Sequence, residues 1–120
     1  MLNNITLMGR FTRDPELRYT GNNTPVTSFT IAVDRDREKE TDFINCVAWR
    51  QIGEFVSKHF SKGSPIAVSG RLQMRSYKDK EGANRTVAEV VVSNVYFCGS
   101  NPKKQGEFQD IETEDGELPF

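Results

Sequence analysis

Short runs of alternating apolar and polar residues, separated by clusters of turn-forming residues, fill most of the first hundred positions. Successive side chains of a strand point to opposite faces, so runs of this kind predict strands that bury one face. The pattern predicts five strands, which cover about residues 4–11, 26–34, 42–50, 65–77 and 86–97. A chain built in this way must form a small β-sheet protein with a single core.

Alternation also predicts which side chains are buried. In the second run, one face is the more apolar and is expected to line the core; its members are Thr27, Phe29, Ile31 and Val33. In the third run, Phe43, Val47 and Trp49 lie opposite Ile44, Cys46 and Ala48. Both sets are apolar, so the alternation alone leaves open which of them faces inward.

One segment has helical periodicity. Ile52, Phe55, Val56 and Phe60 form an apolar stripe that predicts a helix over residues 51–60. Gly70, inside the fourth run, predicts a bulge or a sharp bend. Three strands, a helix and two more strands is the order of an OB-fold, a five-stranded barrel that binds oligonucleotides or oligosaccharides. We therefore predict an all-β fold with one helix, with Phe29, Phe55, Phe60 and Phe97 in its core.

Charge divides the chain into two parts. Residues 1–104 hold sixteen Lys and Arg against eleven Asp and Glu, a net charge of plus five, whereas residues 105–120 hold six acids and no Lys or Arg. The first part is predicted to be the folded domain and to meet a polyanion. The second has low hydrophobicity and high charge, which predicts a disordered acidic tail.

Other features restrict the class of protein. The apolar runs are much shorter than the roughly 20 residues that span a bilayer, so we expect a cytoplasmic protein with no membrane partner. Cys46 and Cys98 lack metal-ligand spacing and are expected to be buried thiols, and we expect no metal or cofactor. His59 is the single histidine, and neither cysteine has one nearby in sequence, so we expect no enzyme.

Several segments together resemble signatures of the bacterial single-stranded DNA-binding protein family, and they are residues 7–10, 14–19, 42–49, 62–64 and 70–77. They extend over most of residues 2–98. The resemblance implies an OB-fold that binds single-stranded DNA without strong sequence preference in replication, recombination and repair. It also implies a nucleoid-associated homotetramer.

In that family, bases stack on aromatic side chains that match Phe43, Trp49 and Tyr77 here. Stacking suits a protein that binds any sequence, because every base has a π-face. The alternative for these three side chains is packing in the core, which is the more frequent position of Phe and Trp.

Basic residues are the candidates for contacts with phosphates, since they neutralise backbone charge and release counterions. The predicted set is Arg10, Arg18, Arg35, Lys62, Arg71, Arg75, Lys78, Lys80 and Arg85. Arg71, Arg75, Lys78 and Arg85 flank Tyr77 and form a basic stripe with an aromatic within it. The loop that contains Arg35 lacks an aromatic that many family members have, so a smaller or weaker site is expected there.

The acidic tail ends in an apolar tripeptide, which a purely solubilising tail does not need. By resemblance, the tip binds replication, recombination and repair proteins, and its predicted contact residues are Asp115, Glu117, Leu118, Pro119 and Phe120. An aromatic anchor stiffened by a proline on an acidic leash fits an apolar pocket with a basic rim.

Three other functions remain open at this point. An RNA-binding OB module would also use stacking and a basic groove. A nuclease could hold Mg²⁺ with Asp34 and Asp36, although the Arg and Lys residues around them favour a solvated loop. An adaptor would use the barrel only to oligomerise and to present tails.

Overall fold

The strands form where the sequence alternates, and the chain between them turns at proline, glycine and asparagine. In the computed structural model, residues 1–37 and 39–98 are described. In chain order these residues form β1 (Ile5–Phe11), β2 (Glu16–Tyr19), β3 (Pro25–Asp34), β4 (Thr41–Trp49), α1 (Arg50–His59), β5 (Pro65–Lys78) and β6 (Asn84–Phe97). The predicted disordered tail, residues 105–120, lies outside the described residues.

The sheet closes on itself. Its strand order is β1-β5-β6-β4-β3-β2, and β1 also pairs with β3 through Arg10 with Ala32 and Phe11 with Ile31. Strands β1, β5, β6, β4 and β3 thus form a closed barrel, in which only the β4–β6 pairing is parallel among the described strands. The predicted five-stranded barrel with one helix is confirmed.

The structure adds one strand that the alternation did not predict. Strand β2 is four residues long and pairs with the outer edge of β3, with Arg18 opposite Val26. A run this short, directly after Pro15, is too brief to show a period of two. The other predicted bounds agree with the structure to within two residues, and the helix begins at Arg50 and ends at His59.

Aromatic rings fill the centre of the barrel. Phe11 stacks on Phe29 with ring centroids 4.9 Å apart and on Phe60 at 5.3 Å, and Phe60 stacks on Phe97 at 4.9 Å. Phe29 and Phe60 are buried, while Phe55 and Phe97 are partly buried and pack against this cluster. The core positions predicted for these four phenylalanines are confirmed.

Helix α1 closes one end of the barrel through a close backbone approach at Gly53. A Cβ atom there would lie 2.5 Å from the carbonyl oxygen of Ala48, a distance that no side chain tolerates. The buried Thr27 hydroxyl donates a 2.6 Å hydrogen bond to the Gly53 carbonyl. These contacts fix the start of the helix against β3 and β4, and so fix the position of Trp49, the last residue of β4 and the one directly before α1.

The predicted irregularity at Gly70 is confirmed. The pairing of β5 with β6 shifts register between Ser69 and Gly70, and a Cβ on Gly70 would overlap the Val91 carbonyl oxygen. Beyond this bulge β5 continues past the end of its pairing with β1, which stops at Ile5 opposite Gly70. Residues 74–78 of β5 and 84–88 of β6 pair only with each other among the described strands and therefore form a two-stranded arm.

The prediction of two buried thiols is half wrong. Cys46 lies on the inner face of β4 and is buried, and burial raises the pKa of its thiol to about 12. Cys98 follows the last strand and is only partly buried. Its pKa is also raised by desolvation. Cys98 lies directly after the last residue of β6, outside the sheet, so the alternation of the strand does not determine whether its side chain is buried.

Candidate nucleic-acid interface

Strand β4 resolves the question that alternation left open. Its inner face presents the buried Cys46 and Ala48, and its outer face presents Phe43, Val47 and Trp49. The outer aromatics are well exposed, at 67% for Phe43 and 43% for Trp49. Two aromatic side chains on the solvent side of a barrel strand are available to stack on planar ligands.

Cross-strand pairing extends this outer face over the neighbouring strands. On β3, Val26 pairs with Trp49 and Thr30 pairs with Asn45, and the side chains of Thr30 and Asn45 are hydrogen-bonded at 3.2 Å. On β6, Glu89 pairs with Asn45. Residues paired in this way point to the same face, so the outer surface is continuous from β3 to β6.

A groove of about 580 Å³ crosses this surface beside Trp49. Its volume lies within the range of small-molecule sites in proteins, roughly 300 to 1,000 Å³. The lining side chains come from β2, β3, β4, β5 and β6 and from Thr20, and they are Arg18, Tyr19, Thr20, Val26, Ser28, Val47, Trp49, Gln73, Arg75 and Glu89. The groove thus combines an aromatic wall, apolar side chains and two guanidinium groups.

Hydrogen bonds hold the polar side chains of the groove in place. Arg75 Nε donates to Glu89 Oε1 at 3.0 Å, and Gln73 Nε2 donates to the same oxygen at 3.5 Å. The Glu89 side chain is only 12% exposed, whereas that of Arg75 is 56% exposed. The nearly buried Glu89 therefore orients the Arg75 guanidinium, and much of the Arg75 side chain remains open to solvent. Arg71 joins the network through Gln73 Oε1 at 3.0 Å.

On the opposite side of the groove, Arg18 Nη2 donates to Ser28 Oγ at 3.4 Å, and Arg18 Nε lies 3.8 Å from a Glu16 oxygen. These side chains are largely exposed, so the ion pair contributes little, within the range of about 0 to 1 kcal/mol for surface pairs. Arg18 can exchange Glu16 for a phosphate at low cost.

Two of the three predicted stacking residues, Phe43 and Tyr77, do not line the groove. Tyr77 is 45% exposed and lies on the arm, where it pairs with Arg85 and does not line the groove. The turn of the arm is ordered by Asp79, whose carboxylate accepts from Arg85 Nε and from the Ala83 and Glu81 amides, all at 2.9 Å. The Arg85 hydrogen bond, followed by that from Ala83, holds the pKa of Asp79 below its ordinary value. Tyr77 and Phe43 could therefore act only as stacking positions separate from the groove.

All nine cations predicted to contact phosphate are exposed, but they fall into two groups. Four of them make ion pairs with described acids, and these are Arg18, Arg35, Arg75 and Arg85. The other five make no ion pair within residues 1–37 and 39–98, and they are Arg10, Lys62, Arg71, Lys78 and Lys80. Only Arg18 and Arg75 of the whole set line the groove.

Arg35 is the most constrained of the nine. Its Nε and Nη2 atoms contact the two carboxylate oxygens of Asp42 at 3.1 and 3.0 Å, and its Nη1 atom lies 3.0 Å from Glu40. The Arg35 hydrogen bond lowers the pKa of Asp42. Asp42 lies near the start of β4 and Trp49 at its end, so Arg35 lies at the opposite end of the strand from the groove.

Sequence reasoning missed several residues of the groove. Ser28, Val47, Gln73 and Glu89 reach it because their strands pair in register around Trp49. A pattern within one strand cannot reveal them, since the signal lies in the pairing between strands. Correct strand pairing would have identified them.

Some predictions fall outside the described residues, namely the partner-binding tip made of Asp115, Glu117, Leu118, Pro119 and Phe120. Within the described part of the chain, no group of three or more His, Cys, Asp and Glu side chains could hold a metal ion. No helix in that part is long and apolar enough to cross a membrane.

Comparison with known proteins places this geometry in context. The model of the single-strand binding protein family matches residues 2–98. The single-stranded DNA-binding protein of Halalkalibacterium halodurans is 50% identical over 102 residues, which are 81% of this chain and 61% of the relative. Single-stranded DNA-binding protein A of Bacillus subtilis is 47% identical over 111 residues, 88% of this chain and 63% of the relative.

A third relative is single-stranded DNA-binding protein 1 of Lactococcus lactis, 46% identical over 112 residues, which are 89% of this chain and 74% of the relative. The chain spans about three fifths of the length of the first two relatives. The family match covers the barrel, and the groove beside Trp49 lies within the matched residues.

Proposed function

The chain belongs to the single-strand binding protein family, and from this premise we propose that it binds and protects single-stranded DNA in the cytoplasm during replication, recombination and repair. The observation that carries the proposal is the groove that the exposed Trp49 lines together with Arg18 and Arg75. A base can stack on the aromatic wall, and the cations can bind the phosphates of the strand.

The groove also supports binding without strong sequence preference. Trp49 offers an exposed aromatic ring to this groove, and stacking contributes about 1 to 3 kcal/mol per base whatever the base. Arg75 and Gln73 are already hydrogen-bonded to Glu89. Side chains held in this way are less available to read base edges, and phosphate contacts carry no sequence information.

The test uses Trp49 as a probe, because it is the only tryptophan in the chain. We expect its emission to be strongly quenched when poly(dT) is added, and the affinity to fall as salt is raised because bound cations release counterions. A matched RNA strand should bind more weakly. Equal or tighter RNA binding would assign the groove to RNA, and emission that does not respond to either strand would contradict the proposal.

We propose further that the protein is not an enzyme. Asp34, one of the two carboxylates considered for Mg²⁺, accepts a 2.9 Å hydrogen bond from the Thr41 hydroxyl and serves the turn between β3 and β4. Labelled single-stranded DNA incubated with the protein and Mg²⁺ should remain intact. Cleavage that disappears in an Asp34→Asn and Asp36→Asn variant would overturn this part of the proposal.

A homotetramer is also proposed, and an exposed apolar row supports it. Met8 on β1 pairs with Ala67 on β5, which pairs with Tyr96 on β6; Met8 is 65% exposed and Tyr96 is 44% exposed. On its other edge β1 pairs only through Arg10 and Phe11 within the described residues. An open edge beside an apolar row is suited to pairing with a second copy.

Light scattering after size exclusion should give a mass four times that of one chain. Met8→Glu should dissociate the assembly by placing a charge in the apolar row, whereas Thr6→Glu, on the same exposed face of β1, tests whether any charge on that face suffices. A monomeric parent protein, or a Met8→Glu variant that remains a tetramer, would contradict this assignment of the interface.

We propose finally that the acidic tail recruits replication, recombination and repair proteins through Asp115, Glu117, Leu118, Pro119 and Phe120. The support is compositional: residues 105–120 carry six acids and no Lys or Arg, yet finish on an apolar tripeptide. The acids favour a basic partner surface, and Phe120 supplies the aromatic anchor that interfaces commonly use.

Two variants separate the charge of the tail from its anchor. Removing residues 110–120 deletes five acids and should tighten DNA binding modestly at low salt, because a tethered polyanion no longer competes for the groove. Phe120→Ala removes no charge, so DNA affinity should stay unchanged while capture of repair proteins is lost. Full capture by Phe120→Ala would leave the tail with a solubilising or competing role only.

A further inference from the structure

Trp49 forms a wall of a second groove as well as of the first. This groove has a volume of about 540 Å³ and lies between the turn that joins β2 to β3 and the start of α1. Its lining residues are Asn23, Thr24, Pro25, Trp49, Arg50, Gln51, Ile52 and Glu54. Trp49 is the one residue common to the two linings, so the two grooves meet at Trp49.

The second groove differs from the first in how its polar side chains are engaged. In the first groove, Arg75 and Glu89 are hydrogen-bonded to each other. In the second, the Arg50, Gln51 and Asn23 side chains make no hydrogen bond or ion pair with any residue in the described part of the chain. Arg50 and Gln51 are exposed, so a cation and an amide face this groove with their donors directed to solvent.

The backbone of this groove is unusual. Asn23 has a φ of 63° and Arg50 a φ of 59°, and they are the non-glycine residues with positive φ among those described. Both line the second groove. Left-handed backbone is uncommon for a side chain as large as arginine, and such conformations cluster at binding sites where surrounding structure holds them. Here the buried Thr27–Gly53 hydrogen bond holds the start of the helix directly after Arg50.

We infer that the second groove is a nucleotide subsite in which the strand stacked on Trp49 continues past the indole, with Arg50 contacting its phosphate. The inference rests on the proposed function and extends it. The continuity of the two grooves through Trp49 favours the same strand as occupant. The positive charge of Arg50 matches a phosphate, and Asn23 and Gln51 offer donors and acceptors to a sugar or a base.

Glu54 is the one acid in the lining and lies one helical turn after Arg50. It forms no ion pair with Arg50 in the described structure, so it does not neutralise that guanidinium directly. Its carboxylate does repel a phosphate that enters the groove. Removing this charge is therefore expected to act in the opposite direction to removing Arg50.

The experiment compares labelled oligonucleotides of about 4 and about 16 nucleotides, the limits of the site sizes found for OB-folds. Anisotropy of the label is the readout, because Trp49 emission responds to both grooves. Arg50→Gly removes the charge and accommodates the positive φ, since glycine adopts that conformation at no steric cost. Arg50→Lys restores the charge. Lys58→Ala is the matched control, an exposed cation on the same helix that does not line the groove.

For the long oligonucleotide, Arg50→Gly should lower the slope of log affinity against log salt by about 0.7, the value for one phosphate that a cation no longer neutralises on a single strand. Arg50→Lys should recover that slope, Lys58→Ala should leave it unchanged, and Glu54→Gln should tighten binding. The short oligonucleotide should bind the parent and Arg50→Gly equally, because the first groove alone holds it.

An unchanged slope for Arg50→Gly on the long strand would overturn the inference, and so would an equal loss in Lys58→Ala, which would reveal only the general charge of the helix. Failure of the parent protein to bind either oligonucleotide would instead reject the proposed function itself. Circular dichroism of Arg50→Gly establishes that the variant is folded before its binding is compared.

Discussion

Strand β4 carries small side chains on its inner face and large aromatic side chains on its outer face. Inside, Cys46 and Ala48 are small and buried; outside, Phe43 and Trp49 are large and exposed. The inner positions face the phenylalanine cluster and the start of α1, where the Ala48 carbonyl approaches Gly53 too closely for a Cβ atom on that glycine. The outer positions leave apolar area in water, and that exposure has no benefit for the isolated fold.

Because of this difference, stability and binding can be measured separately in this protein. Burial of aromatic side chains stabilises the barrel from within, whereas the outer aromatics can gain their stabilisation only from a ligand. Inner substitutions should therefore change the free energy of unfolding, and outer ones the free energy of binding. Substitutions on each face test this division.

Phe29→Ala should give the largest loss of stability. Phe29 is the cross-strand partner of Cys46, is buried, and stacks on Phe11 at 4.9 Å. Removing a buried phenylalanine costs about 3 to 5 kcal/mol because a cavity remains. Urea unfolding at a fixed protein concentration measures this loss. A loss of about 0.5 kcal/mol or less, the usual size of the change for a surface substitution, would show that the inner face does not carry the stability of the barrel.

Trp49→Ala should act on binding instead. Loss of one stacked base weakens the affinity for single-stranded DNA by about 1 to 3 kcal/mol, while the unfolding free energy should change by less than about 1 kcal/mol for an exposed position. Label anisotropy and urea unfolding measure the two quantities on the same sample. Phe43→Ala, on the same face but outside the groove, should weaken binding less than Trp49→Ala. A Trp49→Ala variant destabilised by about 3 to 5 kcal/mol, as for a buried aromatic, would contradict the division between the faces.

The cations of the outer surface allow a finer test. The double variant of Arg75→Ala and Lys78→Ala should weaken binding to all sequences alike and lower the salt slope by roughly 0.7 for each phosphate that is no longer neutralised. Arg35→Ala is the control, because Asp42 and Glu40 already neutralise Arg35 at the far end of β4. Equal salt slopes in the double variant and the parent would show that Arg75 and Lys78 do not contact phosphates.

The order of strands and helix, and the inner positions of Phe29 and Phe60, could be predicted because hydrophobic periodicity is a local property of the sequence. The outward position of Trp49 could not, because both faces of β4 are apolar and the choice depends on how closely α1 approaches Ala48. The partners of Arg35 and Arg75 also required the structure. Both are exposed basic residues in the sequence, and only the strand pairing shows which acids lie beside them.

The two cysteines give the smallest effect, since the change of stability with pH that Cys46 causes begins only near pH 9. Burial raises the pKa of Cys46 to about 12 from an ordinary value of 9.0, so the folded state favours the protonated thiol. The stability that this provides is fully present below the unfolded pKa and is lost as the pH rises from about 9 towards 12. Unfolding free energies measured across that range should fall more steeply for the parent than for Cys46→Ala.

Because the thiolate is the reactive form, a native protein treated with iodoacetamide should be alkylated first at the partly exposed Cys98. Cys46 should react only when denaturant opens the barrel, and labelling of Cys46 at the rate of Cys98 without denaturant would show that the inner face of β4 opens readily.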